Sequence, residues 1–445
     1  MANIDDALNA STDTKALLIG DGVLLQVADL FKEQFPGKNA IVIADAVTYN
    51  IAGRRVTEYL DRGNVRQDKA YIFEDDNLYA EYNYVDRIVA ILKQTDAVPI
   101  AVGSGTINDL VKLSSHLTGR RYMCVGTAAS MDGYTSFGAS ITKNGVKQTF
   151  SCPAPQAWLG DTTIICQAPR EMTAAGYADL FAKVTAGADW ILSDILGVEA
   201  IDKKVWSIVQ DCLPRALANP EAIHDKDPKA IGDLIEGLVL SGFAMQAHRS
   251  SRPASGADHQ FSHLWNMEHH TNHGQHISHG FQVSIGTLSS MALYEVALKT
   301  PMDKLDIKAC CDAWPQSEEL KKEARMMFQD TDFPEIGDIE TTAKYVTREQ
   351  LAVQLQLLKD KWPVLKERLV QQLIPFEEMR SRLKLVGAPV ELEEIGVTRD
   401  YLRRSYIRAQ YIRRRFTILD LSVRTNMQKK WLDILFGQGG HWQMK

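Results

Sequence analysis

The sequence predicts an α/β N-terminal domain over residues 1–167, followed by an all-α C-terminal domain over residues 168–445. Two observations support this fold class. Short apolar runs alternate with helical patterns up to about residue 165, and only helical periodicity remains beyond residue 168. Strands that are apolar throughout and alternate with helices are typical of a parallel sheet covered on both faces.

The predicted strands are short runs rich in Val, Ile and Ala. They are KALLIG, NAIVIAD, KAYIFED, AVPIAVG, RYMCVGT and APQAWLGDTTII. Helical patterns lie between them, over GVLLQVADLFKEQF, residues 51–59, EYNYVDRIVAILKQ and TINDLVKLSSHL. The pair Asn144 and Gly145 stands between two extended segments and predicts a β-hairpin.

Long helices are predicted for the C-terminal domain, over TAAGYADLFAKVTAGADWILSDIL, KAIGDLIEGLVLSGFAMQAH and most of residues 345–436. The stretch YLRRSYIRAQYIRRR, residues 401–415, carries six arginines. An RNA-binding face is one interpretation of it. Acidic residues lie close by, however, so we expect an amphipathic helix that faces solvent or another subunit.

The composition narrows the function classes. Lys and Arg total 50 against 56 Asp and Glu, and this mildly acidic balance argues against a protein that binds nucleic acid or anionic membranes. We expect no transmembrane helix, because no run of about 18 apolar residues occurs. The polar start MANIDDALNASTD does not resemble a signal peptide. A cytoplasmic location is therefore expected.

Two loops of small residues follow predicted strands. In AVGSGTINDL a strand passes directly into a helix, where small residues would let a phosphate approach the backbone N–H groups. A tight β–α turn without a ligand is the alternative interpretation. GTAASMDGYTSFGAS follows the next strand, and Asp45 ends the strand IVIAD. An acid at that position can accept from a ribose 2′-hydroxyl and would repel a 2′-phosphate.

Most of the eleven histidines fall between residues 248 and 279. His259 and His263 are four residues apart, on one face of a predicted helix, and His279 follows on a second helix. A catalytic divalent site needs three protein ligands and an open position. Asp179 is the candidate acidic ligand, since it lies among apolar residues on a predicted buried helix. A polar interhelical cluster is the alternative, and it is what we expect of the remaining members, His269, His270, His273 and His276.

The segments GSGTINDLVK, TAASMDGYTS, AGYADLFAK, SRPASGADHQFSH and ISHGFQVSIG together resemble the bacterial glycerol-1-phosphate dehydrogenase family. That family belongs to the superfamily of iron-containing alcohol dehydrogenases and dehydroquinate synthases. The resemblance spans about residues 40–300. It implies a dehydroquinate synthase-like fold, in which an α/β dinucleotide-binding domain precedes an all-α metal-binding domain with a C-terminal helical extension.

The resemblance also implies roles for particular residues. Asp179, His259 and His279 match the family's metal ligands, and Asp132 and His263 match positions that contact the substrate. Asp179 is expected to serve catalysis through the metal. The dinucleotide is expected to contact Asp45, Gly103, Ser104, Gly105, Thr106, Thr127, Ser130 and Ser136. Two residues depart from the family pattern: Ser104 replaces a glycine, and Met131 stands where archaeal members often carry His.

The implied activity is NAD(P)-linked, metal-dependent interconversion of dihydroxyacetone phosphate and sn-glycerol 1-phosphate, with Zn²⁺, Ni²⁺ or Fe²⁺ as the metal. His263 would relay the hydroxyl proton, and Arg252 and Lys143 are candidates for binding the phosphate. Three alternatives remain: a glycerol dehydrogenase acting on an unphosphorylated polyol, a cyclising lyase of the dehydroquinate synthase type, and a non-catalytic dinucleotide sensor. The lyase typically has Glu as its first ligand, where this chain has Asp179. We expect a homodimer or larger homo-oligomer.

Overall fold

The structure is a computed structural model that describes residues 4–75 and 78–444. The chain forms two compact units. Unit 1 consists of Met1–Leu180 and Lys204–Ser251, and unit 2 consists of Phe181–Lys203 and Arg252–Lys445. The secondary structure changes from strands to helices where the sequence predicts it, at about residue 168. The units divide later, because helices that follow residue 203 pack with the sheet-containing unit. The domain boundary at residues 167 and 168 stays a prediction.

Unit 1 is built on a six-stranded parallel sheet with the strand order β1-β8-β5-β4-β2-β3. A separate antiparallel hairpin, β6-β7, turns at the predicted Asn144 and Gly145, which both have positive φ. The strands are β1 Ala16–Gly20, β2 Ala40–Asp45, β3 Tyr71–Phe73, β4 Val98–Gly103, β5 Met123–Gly126, β6 Ala139–Lys143, β7 Val146–Phe150 and β8 Ala157–Asp161. Each predicted strand contains an observed one, but the last ends at Asp161: Thr162–Ile165 forms a short helix instead, capped by the Asp161 carboxylate, which accepts from the N–H of Thr163.

Burial follows position in the sheet. Every residue of β4, β5 and β8 is buried, whereas β1 and most of β3, at the two edges, are only partly buried. Apolar side chains on both faces of the central strands therefore pack under helices, as in other parallel sheets. The α/β fold class of the N-terminal part is confirmed. The carboxyl ends of β2 and β4 are neighbours, which brings Asp45 and Gly103 to the same edge.

The helices of unit 1 cover the sheet and continue past it. A π-helical turn at Tyr49–Gly53 leads into α4, in place of one regular helix over 51–59. The helices are α1 Ile4–Ala10, α2 Val27–Gln34, α3 Ala46–Thr48, α4 Arg54–Arg62, α5 Tyr82–Leu92, α6 Gly105–Leu117, α7 Thr162–Ile165, α8 Arg170–Ile195, α9 Lys203–Gln210, α10 Leu213–Ala216, α11 Pro220–His224 and α12 Pro228–His248. Of these, α8 is a single helix that contributes residues to both units.

Unit 2 is helical throughout the part that the structure describes, as the sequence predicts. Its helices are α13 Ala257–Met267, α14 His279–Lys299, α15 Ile307–Ala313, α16 Ser317–Phe328, α17 Ile336–Lys344, α18 Arg348–Gln372, α19 Phe376–Val386, α20 Arg399–Arg408, α21 Ile418–Arg424 and α22 Gln428–Phe436. A 3-10 turn, Ala409–Ile412, follows α20. Helices α13 and α14 pack closely against each other.

Helix α12 is long and apolar enough to cross a membrane by length and composition alone, and 72% of its most apolar window is buried. Core helices of this kind pass the same test. Its first turn begins with Pro228, and the carboxylate of Asp227 accepts a hydrogen bond from the N–H of Ala230. That cap satisfies a donor that the helix start would otherwise leave without a partner.

The arginine-rich stretch differs in part from the expected solvent-facing helix. Arg404 is exposed on α20, as predicted, but α20 ends at Arg408. Arg413 has extended backbone angles, φ −149° and ψ 140°, and its side chain is mostly buried, as is that of Arg415. The prediction of one solvated helix over 401–415 is therefore wrong for residues 409–415. The buried Tyr411 and Ile412 hold the chain against the core and prevent the helix from continuing outward.

Candidate functional site

Three potential metal ligands lie together. Asp179 lies in α8 and is completely buried, His259 lies in the first turn of α13, and His279 is the first residue of α14. One ligand atom from each side chain lies within 4.8 Å of the others. The expected clustering of these three residues is thereby confirmed, while the bound ion itself stays a prediction.

The separation of the two histidines depends on how closely α13 and α14 approach. A Cβ atom added at Gly286 would lie 2.2 Å from the carbonyl oxygen of Asp258, far inside van der Waals contact. Only glycine fits there without moving a backbone. The contact holds the first turn of α13 against α14 and leaves the rings of His259 and His279 with centroids 5.2 Å apart.

Neighbouring groups set the tautomers of both histidines. Nδ1 of His259 lies 2.6 Å from Oδ1 of Asp258, and hydrogen bonds hold the pKa of that buried carboxyl below its usual value although burial opposes them. The ring must therefore donate from Nδ1. At His279, Nδ1 lies 3.4 Å from the Ser262 hydroxyl, which itself donates to Gln282. Both rings thus keep the Nε2 lone pair for a metal.

His263 has a different arrangement. Its ring centroid lies 6.2 Å from that of His259 and 6.4 Å from that of His279, so it belongs to the same cluster. Its Nε2 accepts a hydrogen bond from Nη2 of Arg413, 3.1 Å away. A lone pair used in this way is not offered to a metal. The geometry supports the predicted division between two histidine ligands and one histidine that faces the substrate.

Asp132 is held beside Asp179 within unit 1. Its backbone N–H donates to Oδ2 of Asp179 at 3.0 Å, and its own carboxylate accepts from the hydroxyl of Ser241 at 2.8 Å. The loop that carries Asp132 approaches α8 closely, since a Cβ at Gly176 would lie 2.0 Å from the carbonyl oxygen of Ala129. The loop after β5 is thus fixed relative to the buried carboxylate.

The first small-residue loop forms the start of α6. Gly103 ends β4, Ser104 precedes the helix, and Gly105 and Thr106 are its first residues. The first turn contains no acidic residue, so its N–H groups and the helix dipole favour an anion. A Cβ at Gly105 would lie 2.8 Å from the methyl group of Met131, which shows how tightly the two loops meet. The site fits a pyrophosphate.

The second loop is joined to the first by a backbone hydrogen bond, from Thr127 N–H to the carbonyl of Gly103 at 3.1 Å. Within the loop, the Ser130 hydroxyl lies 3.3 Å from that of Tyr134. The Ser136 hydroxyl donates to the carbonyl of Gly133 at 3.0 Å. The predicted contacts of Thr127, Ser130 and Ser136 with a dinucleotide stay predictions.

Sequence reasoning missed Lys112, which fixes this second loop. Its buried ammonium donates to the carbonyls of Gly133, Ser136 and Gly138 at 3.0–3.1 Å. A lysine inside a helix that is predicted to pack on the sheet was the available signal, since a buried lysine needs acceptors. Asp258 was missed as well, although it directly precedes the predicted ligand His259.

Asp45 stands at the predicted strand end, half-buried. Its Oδ1 accepts from the N–H of Thr48 at 2.7 Å, and its own N–H donates to the Thr48 hydroxyl, so it caps α3. This capping hydrogen bond uses one of the two carboxylate oxygens of Asp45. Its position beside Gly103 at the carboxyl edge is compatible with the proposed contact to a ribose, and that contact stays a prediction.

The remaining histidines and basic candidates have other surroundings. His269, His273 and His276 are exposed and His270 is partly exposed, as expected. The guanidinium of Arg252 is buried, donates to the carbonyls of Asp189 and Phe416 and pairs with Glu199. The ammonium of Lys143 lies 3.8 Å from the ring centre of Tyr82. Both side chains thus interact with neighbouring groups of the protein.

The donor set fits a divalent ion. Two neutral imidazoles and one carboxylate with a remaining open position are the usual set for a catalytic metal. Four-coordinate ligands at about 2.1 Å from an ion would be separated by about 3.4 Å, so small side-chain shifts from the present arrangement would suffice. When bound, such an ion would act as a Lewis acid on a substrate oxygen.

Comparison with known proteins agrees with the fold. Residues 18–169 match the profile of the iron-containing alcohol dehydrogenases. The structure superimposes on glycerol dehydrogenase from Schizosaccharomyces pombe with a TM-score of 0.60 and 18% identity, covering 95% of this chain and 92% of that one. This likeness bears on the fold alone and confirms the predicted architecture. The fold class is that of the solved glycerol dehydrogenase.

Among sequence relatives, a glycerol-1-phosphate dehydrogenase (NAD(P)+) from Bacillus licheniformis is 30% identical over 358 residues, covering 79% of this chain and 87% of the relative. One from Halalkalibacterium halodurans is 34% identical over 257 residues, or 57% of this chain and 64% of the relative, which is less than two thirds of its length. The chain belongs to the glycerol-1-phosphate dehydrogenase family.

Proposed function

We propose that this chain is a metal-dependent, NAD(P)-linked oxidoreductase that interconverts dihydroxyacetone phosphate and sn-glycerol 1-phosphate. The observation that carries the proposal is the trio Asp179, His259 and His279, whose ligand atoms lie within 4.8 Å of one another. The activity that the relatives' names state supports the same reaction.

Asp179, His259 and His279 would hold the ion, and the loops around Gly103 and Thr127 would hold the dinucleotide. When bound, the metal polarises the C2 oxygen of the substrate and the nicotinamide carries the hydride. The hydrogen bonds to Asp258 and Ser262 orient the two imidazoles before the ion arrives. Such orientation avoids a reorganisation cost at the moment of reaction.

His263 would relay the proton at the C2 oxygen. Its Nε2 accepts from Arg413, so the neutral ring carries its proton on Nδ1 and can donate a hydrogen bond from there to the substrate oxygen; a proton that passes to this oxygen would be replaced on the ring from solvent. Asp132 would accept a hydrogen bond from a substrate hydroxyl, because its carboxylate is held by Ser241 and its backbone by Asp179. These two side chains position the reacting carbon without themselves binding the metal.

The proposal also covers the substrate class, the cellular location, the oligomeric state and the partners of the enzyme. A small-molecule substrate follows from the dehydrogenase class. We propose a cytoplasmic location, a homodimer or larger homo-oligomer, and no nucleic-acid or membrane partner; the net charge of −6 supports the last of these.

A direct substrate comparison tests the proposal. The purified chain would be reconstituted separately with Zn²⁺, Ni²⁺ and Fe²⁺ and assayed by NADH and NADPH oxidation with dihydroxyacetone phosphate and with dihydroxyacetone. We expect kcat/KM to favour the phosphorylated ketone, and the product to be refractory to a stereospecific glycerol-3-phosphate oxidase. A preference for dihydroxyacetone would identify a glycerol dehydrogenase instead, and inactivity with both ketones in every metal form would contradict the proposal.

A further inference from the structure

Three consecutive arginines follow the 3-10 turn after α20, and their side chains diverge. Arg414 is largely exposed and pairs with Glu340. Arg413 reaches His263, and Arg415 donates to the carbonyl and hydroxyl of Ser255. Because the backbone at Arg413 is extended, neighbouring side chains point to opposite sides. Arg413 and Arg415 of unit 2 therefore both point inward, and Arg413 contacts the histidine cluster.

Arg413 has no acidic counterpart of its own. Its guanidinium donates to the neutral Nε2 of His263 at 3.1 Å, and among residues 4–75 and 78–444 no carboxylate forms an ion pair with it. The acids nearby are used by other cations: Glu340 pairs with Arg414 and Glu199 pairs with Arg252. A guanidinium in this position has donors available for an anion.

The surroundings make that anion favourable. Burial lowers the pKa of Arg413, and burial together with Arg252 and Arg413 lowers the pKa of Arg415 to about 9. A shift in this direction means that the charged form is poorly compensated in the present arrangement. A group with two negative charges would supply the missing compensation, and guanidinium groups match phosphate oxygens in a bidentate manner.

We propose that Arg413 binds the phosphate group of the substrate, with Arg415 contributing to the positive potential behind it. The inference rests on the proposed function, because the phosphate is that of the ketone whose C2 oxygen faces the metal. His263 then stands between the two ends of the substrate, in contact with Arg413 and next to His259 and His279. In this proposal Arg413 binds the phosphate in place of Arg252 and Lys143, the two candidates that the sequence suggested.

The test compares Arg413→Gln with a matched control, Arg404→Gln, which removes an exposed arginine of the same segment. For Arg413→Gln we expect KM for dihydroxyacetone phosphate to rise about 10- to 100-fold, the loss typical of hydrogen bonds to a charged group. The kcat/KM for unphosphorylated dihydroxyacetone should fall much less than that for the phosphorylated ketone, because only the effect on His263 remains when no phosphate is present. Arg404→Gln should leave both values unchanged. An unchanged KM for the phosphorylated ketone in Arg413→Gln would overturn the proposal.

Binding of inorganic phosphate provides a readout that does not depend on turnover. Calorimetry would use metal-loaded protein saturated with NAD⁺, which blocks the pyrophosphate loop. We expect phosphate to bind the wild type and Arg404→Gln alike, and at least about tenfold more weakly to Arg413→Gln. Equal binding to all three proteins would overturn the inference. If the wild type binds phosphate through Arg413 but reduces no ketone phosphate, the proposed function fails and the anion site stands.

Should Arg413→Gln fail to fold, as judged by its melting temperature, Arg413→Lys serves in its place. Lysine retains the charge but loses the forked donor geometry. We expect this variant to fold, to bind phosphate more weakly than the wild type, and to raise KM for the phosphorylated ketone selectively. Wild-type values for both quantities in Arg413→Lys would count against bidentate binding and overturn the assignment.

Discussion

At the scale of single residues, the three clustered histidines differ in which ring nitrogen is engaged. His259 and His279 are held through Nδ1, whereas His263 accepts from Arg413 through Nε2. Identical side chains a few ångströms apart can therefore serve different purposes. The hydrogen-bond partner of each ring decides whether it can bind a metal or a substrate.

His263→Ala should keep the metal and lose turnover. The three other ligand candidates do not depend on this ring, and a proton-relaying imidazole contributes roughly 10²–10⁴-fold to the rate. Metal content, melting temperature and reduction of dihydroxyacetone phosphate would be measured on one preparation. Normal turnover with normal metal content would falsify the catalytic role. Loss of metal would make His263 a ligand instead.

The wild type should prefer NADH to NADPH, because the carboxylate of Asp45 at the end of β2 would repel a 2′-phosphate. Asp45→Gly should narrow the ratio of the two kcat/KM values. Since Asp45 also caps α3 through Thr48, Asp45→Asn is the sharper variant: it keeps an acceptor for the cap and removes the charge. A wild-type preference for NADPH would contradict the role given to Asp45.

At the scale of elements, the packing of α13 on α14 places the two candidate histidine ligands, His259 and His279. Gly286→Ala should force the two helices apart, because the new methyl group would lie 2.2 Å from a backbone oxygen. We expect weaker metal binding and a loss of about 1–3 kcal/mol in the free energy of unfolding, as for overpacked sites. Gly232→Ala on α12 is the control, since its Cβ would meet only one atom, at 3.7 Å. Equal metal affinity in both variants would contradict the claim that the packing of α13 on α14 positions His259 and His279.

The carboxylate of Glu295 on α14 joins that helix to the C-terminal segment. It lies 2.9 Å from Nε2 of His441 and accepts from the N–H of Phe376, and these bonds, the one to His441 first, hold its pKa below the usual value. A lowered folded-state pKa contributes stability above the unfolded-state pKa near 4.5, and this is lost as the pH falls through the folded-state value.

Glu295→Gln should therefore lower the free energy of unfolding at pH 7 by about 1 kcal/mol. The difference from the wild type should shrink as the pH falls from about 4.5 through the folded-state pKa. Urea unfolding at a series of pH values measures both quantities. The exposed Glu367 on α18 offers the control Glu367→Gln, which should differ little from the wild type at any pH. If the difference in the free energy of unfolding between Glu295→Gln and the wild type stays constant with pH, ionisation of Glu295 does not contribute to stability in this way.

At the scale of the whole molecule, the sequence predicted the parallel sheet because its central strands are continuous apolar runs with clear ends. It predicted the pairing of His259 and His263 from their spacing on one helix face, and the isolated acid Asp179 from its apolar neighbours. Such features are local. The inward turn of Arg413 could not be predicted, because no glycine or proline interrupts residues 399–415 and the tertiary packing of Tyr411 and Ile412 ends the helix.

The distance between α13 and α14 could not be predicted from the sequence either. A glycine within a helix permits a close approach, but it does not identify the segment that will approach it. The same holds for Lys112, whose three carbonyl partners come from a loop more than twenty residues away. Residue types and spacings thus indicated the candidate metal ligands, from which the family resemblance selected three, whereas the groups that orient them became apparent from packing.

The most direct test of the account is the metal content of purified protein, measured by elemental mass spectrometry after exposure to Zn²⁺, Ni²⁺ or Fe²⁺. The wild type and the exposed-histidine control His273→Ala should hold about one ion per chain. Asp179→Ala, His259→Ala and His279→Ala should each lose the ion and the activity while keeping the circular dichroism spectrum of the fold. Full metal occupancy in all three variants would contradict the assignment of the site.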